Sequence, residues 1–227
     1  MTLYKRGSRG EAVKQIQKAL NLYPDGIFGP FTEEAVEEFQ KDNGLTVDGI
    51  VGPATLSKLL VDKVFTLKKS KRSITEIIIH CTATPEGRDY TVEQIRNDHV
   101  EGRGWSDIGY HYVIYRDGSI HNGRDVNIAG AHCTGHNTHS IGVAYVGGLE
   151  NNPSIAYSKL KAKDTRTEEE KTALLSLLLD LRKLYPKAKI LGHRDTSPDK
   201  NGNGIIEEWE WLKSCPSFNA QSEYRML

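Results

Sequence analysis

Residues 74–84 read ITEIIIHCTAT, and the run Ile77–Ile79 within them decides the fold. Three consecutive β-branched residues lack both the polar alternation of a half-exposed strand and the length of a helix. Bounded by polar residues, they predict a short strand buried on both faces, as in a parallel sheet covered by helices. The strand runs out at His80. In open α/β sheets, strand ends are where chemistry collects.

Working downstream, strands and helices alternate. Thr91 with Gln94 forms a capping box and predicts a helix through Ile95 to about Val100. HYVIYRDGSIH (111–121) predicts a hairpin turning at Asp117-Gly118. SIGVAYVGG (140–148) is a second buried strand. Thr167 with Glu170 opens a long helix with Leu174, Leu177, Leu178, Leu181 and Leu184 on one face. AKILGH (188–193) is a short strand ending at His193. The expected architecture is an α/β domain with a central mixed sheet flanked by helices.

Upstream the pattern changes. DGIFGPFT (25–32) returns 23 residues later as DGIVGPAT (48–55). Each copy predicts an Asp-Gly turn, a Gly-Pro bend and a helix capped by Thr32 or Thr55. Ser8 with Glu11 predicts a further capping box, followed by the apolar stripe Val13, Ile16, Leu20. The expectation is a small all-α three-helix domain over residues 1–62, a basic linker over 63–73 and a catalytic domain over 74–227. The linker residues read as a solvated charged connection.

The chain has 227 residues and a formal net charge of +0, which excludes a generic nucleic-acid binder. No apolar run approaches the ~18 residues that a membrane span requires. No apolar leader follows Met1, so the expectation is a protein made in the cytoplasm without a signal peptide. Three widely spaced cysteines, Cys81, Cys133 and Cys215, are not a disulfide framework. All eight histidines lie between His80 and His193, so imidazole chemistry belongs to the second part. His80 and His193 end predicted strands. Cys215 precedes Pro216, which biases it toward extended chain. Two imidazoles and a thiolate make a plausible catalytic zinc set with an open fourth position. On spacing alone, structural histidines and an inert buried cysteine are the commoner outcome for such residues.

The motifs IIIHCTAT, GYHYVIYRDG, HNTHSIGVAYVGG, GHRD and KSCPSF occur in this order. Together they resemble the zinc-dependent N-acetylmuramoyl-L-alanine amidases of the phage lysozyme and peptidoglycan-recognition-protein type, over residues 74–220. GSRGEAVKQIQKAL and the two Asp-Gly-x-x-Gly-Pro turns resemble the three-helix peptidoglycan-binding domain. The resemblance implies a modular endolysin that hydrolyses the amide between N-acetylmuramic acid and L-alanine. It implies His80, His193 and Cys215 as zinc ligands, Tyr110 and Lys213 as catalytic residues, and His132 and Asn137 as lining of the substrate groove. It also implies peptidoglycan as partner, a monomer, and release to the wall through a holin. Lys213 remains open to a plainer role as a solvent-facing cation, and His111 is expected in the core or behind the ligands. Two rival readings stand beside the enzyme: a non-catalytic recognition protein, and a Cys–His hydrolase using Cys215 or Cys81.

One segment departs from the short phage-type pattern, in which few residues separate the second histidine from the cysteine. Here Cys215 lies 22 positions after His193. The insertion includes DKNGNGIIEEWE (199–210), which fits the D-x-[DN]-x-[DN]-G-x5-E calcium-loop pattern. The expected Ca²⁺ ligands are Asp199, Asn201, Asn203, the carbonyl of Ile205, and Glu210. A plain Asp/Asn/Gly turn is the alternative.

Overall fold

The computed structural model describes residues 3–20, 22–59 and 67–227. The chain forms two compact units, one on the N-terminal residues and one on the bulk of the chain from Leu67 onward.

The first unit holds helices α1 (Glu11–Ala19), α2 (Pro30–Asp42) and α3 (Pro53–Leu59). Val13, Ile16, Phe28, Val36 and Val51 form its core, with Tyr4, Leu20, Leu56 and Leu59 packed against it. The 23-residue repeat is a repeated hydrogen-bond clamp. The Gln17 amide nitrogen donates to Asp25 Oδ1 (2.7 Å), the Ile27 carbonyl (3.0 Å) and Thr32 Oγ1 (3.1 Å). Its oxygen accepts from Gly26 N–H at 2.9 Å. Gln40 repeats this with Asp48 (2.8 Å), Ile50 (2.9 Å), Thr55 (3.0 Å) and Gly49 (3.0 Å). Gly26 and Gly49 have φ of 76° and 65°, the left-handed region that glycine enters freely.

Three capping expectations are corrected. The second and third helices begin three residues early, at Pro30 and Pro53, because proline is preorganised for the first helical position. Thr32 and Thr55 therefore lie inside the first turn, buried against the glutamines. The first helix is capped by Gly10 without a side-chain bond. Ser8 is used in a turn, where its Oγ accepts from Lys5 N–H at 3.1 Å.

Residues 60–66, including the start of the expected linker, lie outside the described residues. Beyond them Lys68, Lys69 and Lys71 are exposed, while Ser70 and Arg72 anchor the segment. Ser70 N–H donates to the Tyr185 hydroxyl (2.7 Å) and Ser70 Oγ to the Val126 carbonyl (2.6 Å). Arg72 donates to the Val126, Asn137 and Ser140 carbonyls. The segment thus supplies donors to carbonyls before and at the start of β5.

The second unit is built on β1 (Glu76–Cys81), β2 (Thr84–Pro85), α4 (Val92–Val100), β3 (Tyr112–Ile114), β4 (Ile120–Asn122), β5 (Ser140–Tyr145), β6 (Gly148–Leu149), α5 (Glu168–Leu184), β7 (Lys189–Gly192) and α6 (Ala220–Tyr224). The main sheet runs β4-β3-β5-β1-β7, and β2 pairs with β6 separately. All neighbours in the main sheet are parallel except the β3–β4 hairpin. Ile77, Ile78 and Ile79 are fully buried. Both predicted capping boxes in this unit are present, at Thr91/Gln94 and Thr167/Glu170. Glu170 also accepts from Val146 N–H at 3.0 Å, tying the start of α5 to the chain leaving β5.

Candidate active site and metal centre

Strand register brings the histidines together. β1 and β7 are parallel neighbours with Ile79 opposite Gly192. The next residue on each is a histidine, so His80 and His193 emerge side by side, ring centroids 4.7 Å apart. Asp195 Oδ2 accepts from Gly192 N–H at 2.7 Å and fixes the turn that carries His193.

Cys215 arrives from the C-terminal segment, which several strand ends hold. The Tyr145 hydroxyl donates to the Pro216 carbonyl (2.7 Å) and Ser217 Oγ to the Gly148 carbonyl (2.9 Å). Arg194 N–H donates to the Cys215 carbonyl at 2.7 Å. A Cβ on Gly192 would lie 2.6 Å from Pro216 Cδ, so the close approach depends on that glycine. Cys215 Sγ accepts from Cys81 N–H at 3.2 Å and lies 3.8 Å from His80 Nδ1. The Cys81 thiol neighbours Cys215 and also lies 3.8 Å from Ser217 Oγ.

Donor atoms of His80, His193 and Cys215 lie within 4.8 Å of one another, the only such His/Cys/Asp/Glu group of three among the described residues. Burial holds His193 down at about 4 and His80 well below the usual imidazole range, so both rings carry lone pairs at neutral pH. Burial, and then the neighbouring Cys81 thiol, push the Cys215 thiol up, against a smaller opposing pull from Lys213. Two neutral imidazoles and a thiol fit a zinc ion, whose charge would favour the thiolate.

A cavity of about 460 Å³ opens on this group, lined by Tyr110, Trp105, His132, Asn137 and Lys213 among others. The Tyr110 ring lies 5.2 Å from the His80 ring. Burial raises its phenol well above the ordinary range, so it is a proton donor rather than a base at neutral pH. Lys213 is exposed and borders the same cavity as Cys215. Asn137 reaches the cavity, but its Oδ1 accepts from the N–H groups of His132 and Cys133, at 2.9 Å each. The His132 ring is turned inward, with Nδ1 2.9 Å from His80 Nε2. His111 is fully buried, and its Nδ1 accepts from Gly142 N–H at 2.9 Å.

The insertion between His193 and Cys215 uses its acceptors on itself. Asp199 accepts from Gly202 and Gly204 N–H, Asn201 Oδ1 from Asn203, and Asn203 Oδ1 from Ile205. Glu210 is fully buried and accepts from Lys200 and Glu207 N–H. These bonds shape the loop and do not bear on the calcium expectation, since an oxygen that accepts one N–H keeps a second lone pair.

Sequence reasoning missed His99. It follows Asp98 in α4, and its Nδ1 accepts from Gly109 N–H at 3.0 Å, holding the turn that leads into Tyr110. A histidine inside an amphipathic helix gives no sequence signal for this.

A helical repeat unit is followed in sequence by an α/β unit with a His/His/Cys group at its strand ends that could hold a metal ion. Residues 9–59 match the putative peptidoglycan binding domain family, and residues 70–204 match the N-acetylmuramoyl-L-alanine amidase family. The chain belongs to the N-acetylmuramoyl-L-alanine amidase family. It is 36% identical to an endolysin of Enterobacteria phage K11 over 153 residues, covering 66% of this chain and 85% of that one. It is 35% identical to the endolysin of Escherichia phage T7 over 151 residues, covering 66% and 85%. Among solved structures, an endolysin of a Thermus scotoductus bacteriophage aligns with a TM-score of 0.49 at 26% identity, covering 73% of this chain and 92% of that one.

Proposed function

We propose that this chain is a zinc-assisted amidase that cuts peptidoglycan between N-acetylmuramic acid and L-alanine, with His80, His193 and Cys215 as the metal ligands. The observation that carries this reading is the convergence of those three donors, within 4.8 Å, on the cavity bordered by Tyr110 and Lys213. Zinc held there supplies a water acidified toward neutral pH and polarisation of the scissile carbonyl.

The chain's own residues do the rest. Tyr110, protonated and beside His80, donates to the oxyanion that develops as the amide carbonyl is attacked. Lys213 adds positive charge at the same side of the cavity and serves as a second donor to that oxyanion. One of the two delivers the proton that the departing amine of L-alanine requires. His80 and His193 stay neutral and so present lone pairs rather than charge. Residues 1–62 bind the wall polymer and residues 74–227 cut it, as a monomer. In this reading delivery to the wall depends on a holin; no described helix is long and apolar enough to cross a membrane.

Mass spectrometry of purified peptidoglycan after digestion tests this reading. The expected products are stem peptides with a new free N-terminal L-alanine and intact glycan strands. New reducing sugar ends, or cuts within the stem peptide, would overturn it.

A further inference from the structure

The His132 ring is wedged between two glycines. A Cβ on Gly130 would lie 2.3 Å from His132 Cδ2, and one on Gly142 would lie 2.5 Å from the same atom. The slot is therefore built for this ring, and both ring nitrogens are engaged inside it. Nδ1 faces His80 Nε2 at 2.9 Å, and Nε2 faces Ser140 Oγ at 3.3 Å. Ser140 Oγ in turn lies 2.9 Å from the His136 carbonyl.

The direction of this chain follows from its last member. A carbonyl oxygen only accepts, so Ser140 must give its single hydroxyl proton to His136. Toward His132 the same oxygen is then an acceptor, which puts the His132 proton on Nε2. A neutral His132 so arranged has a lone pair on Nδ1 and accepts from His80. His80 must carry its proton on Nε2, which leaves the lone pair on Nδ1. That is the nitrogen 3.8 Å from Cys215 Sγ.

We propose that His132 is a positioning residue: the hydrogen-bond chain His136 carbonyl–Ser140–His132 locks His80 in the Nε2–H tautomer, with Nδ1 presented to the metal. The inference rests on the zinc reading above for its consequence, but the tautomer itself is a property of the metal-free chain. It also reassigns His132. With both nitrogens satisfied internally, the ring has no polar group left for substrate, although its edge reaches the cavity. Orienting partners of this kind typically contribute 10–100-fold in metal affinity.

The test uses the full chain, stripped of metal, with long-range ¹H–¹⁵N spectra of the ring nitrogens and zinc affinity by chelator competition. Wild type is expected to show His80 protonated on Nε2 before zinc is added. His132→Ala should mix the tautomers and weaken zinc binding ~10–100-fold. His132→Asn, whose amide oxygen replaces the Nδ1 acceptor, should recover most of that loss. Ser140→Ala, which removes only the anchor, should give a smaller loss in the same direction. Metal-free wild type with the His80 proton on Nδ1 would overturn the inference whatever the variants do. Equal zinc affinity of the alanine variant and wild type would also overturn it. So would an asparagine variant as weak as alanine while both keep wild-type melting temperatures. If wild type binds no zinc yet carries the His80 proton on Nε2, the metal reading falls and the tautomer lock stands.

Discussion

The two glutamine clamps of the first unit and the His/His/Cys group of the second are both convergences of polar side chains, and they differ in what is left over. Around Gln17 and Gln40 every donor meets an acceptor of the same chain, and the pattern is used twice. Around His80, His193 and Cys215 three atoms of the kinds that bind metals lie within 4.8 Å of one another. A closed circuit stabilises a fold. A cluster of lone-pair donors suits a cation, and that separates structural polarity from functional polarity here.

The largest expected effect follows from removing one open valence. Cys215→Ser should abolish wall cleavage, a loss exceeding the ~10²–10³-fold typical of one oxyanion donor. The same variant should still sediment with insoluble walls, because the first unit is untouched. Cleavage and sedimentation assays on one preparation read both. Loss of both properties together would merge the two regions functionally and break the comparison.

Next come the donors beside the group. Tyr110→Phe and Lys213→Ala should each lose ~10²–10³-fold in turnover, with zinc content unchanged. Single-turnover rates with metal analysis check this. A rate within a few-fold of wild type for both would remove them from the chemistry.

How much of this was legible in the residues differs between the units. Ile77–Ile79 placed β1, and therefore His80, without any relative, because a short β-branched run has few places to go. The capping boxes at Thr91 and Thr167 worked because a Gln or Glu stood three residues on. The same logic failed at Ser8, Thr32 and Thr55, where a glycine or Gly-Pro pair took the start of the helix. Gln17 and Gln40 are themselves 23 residues apart, so the repeat signal extended further than the Asp-Gly turns suggested. Tyr110 precedes β3 and lies at no strand end, so only the family resemblance reached it. The inward turn of His132 depends on two glycines that close around it from different segments, which no linear pattern encodes.

Acidity supplies a smaller contrast. Burial holds His99, His111 and His193 at about 4 in the folded chain, and His80 and His132 well below the usual 6.5. Unfolded histidines bind protons near 6.5, so as pH falls below that value the unfolded chain gains protons that the folded one refuses. Stability is therefore present above 6.5 and is lost toward 4, by up to about 1.4 kcal/mol per pH unit for each such group. Glu170 opposes this. Burial raises its carboxyl to about 7, so its contribution is lost as pH rises toward that value. Burial raises the Asp195 carboxyl as well, and two carboxyls against five imidazoles leave the histidines in control. Thermal melts of metal-free protein should show a falling transition temperature from pH 7 to 4.5. The described residues of the first unit contain no histidine, and that unit should not share the histidine-driven slope.

The smallest effect belongs to the closed circuit. Gln40→Ala leaves Gly49 N–H and Thr55 without their buried partner and should cost ~1–3 kcal/mol of that unit's stability. Turnover on a soluble wall fragment should stay at the wild-type value. Chemical denaturation beside a kinetic assay checks both, and a matching fall in turnover would show the clamp to be more than structural.

The account turns on one ion. Full-length protein stripped by a chelator and titrated with zinc, with L-alanine amino termini counted on digested peptidoglycan, addresses it most directly. The account predicts no cleavage at the start, recovery in proportion to zinc, and saturation at one zinc per chain. Undiminished cleavage by the stripped protein would contradict it.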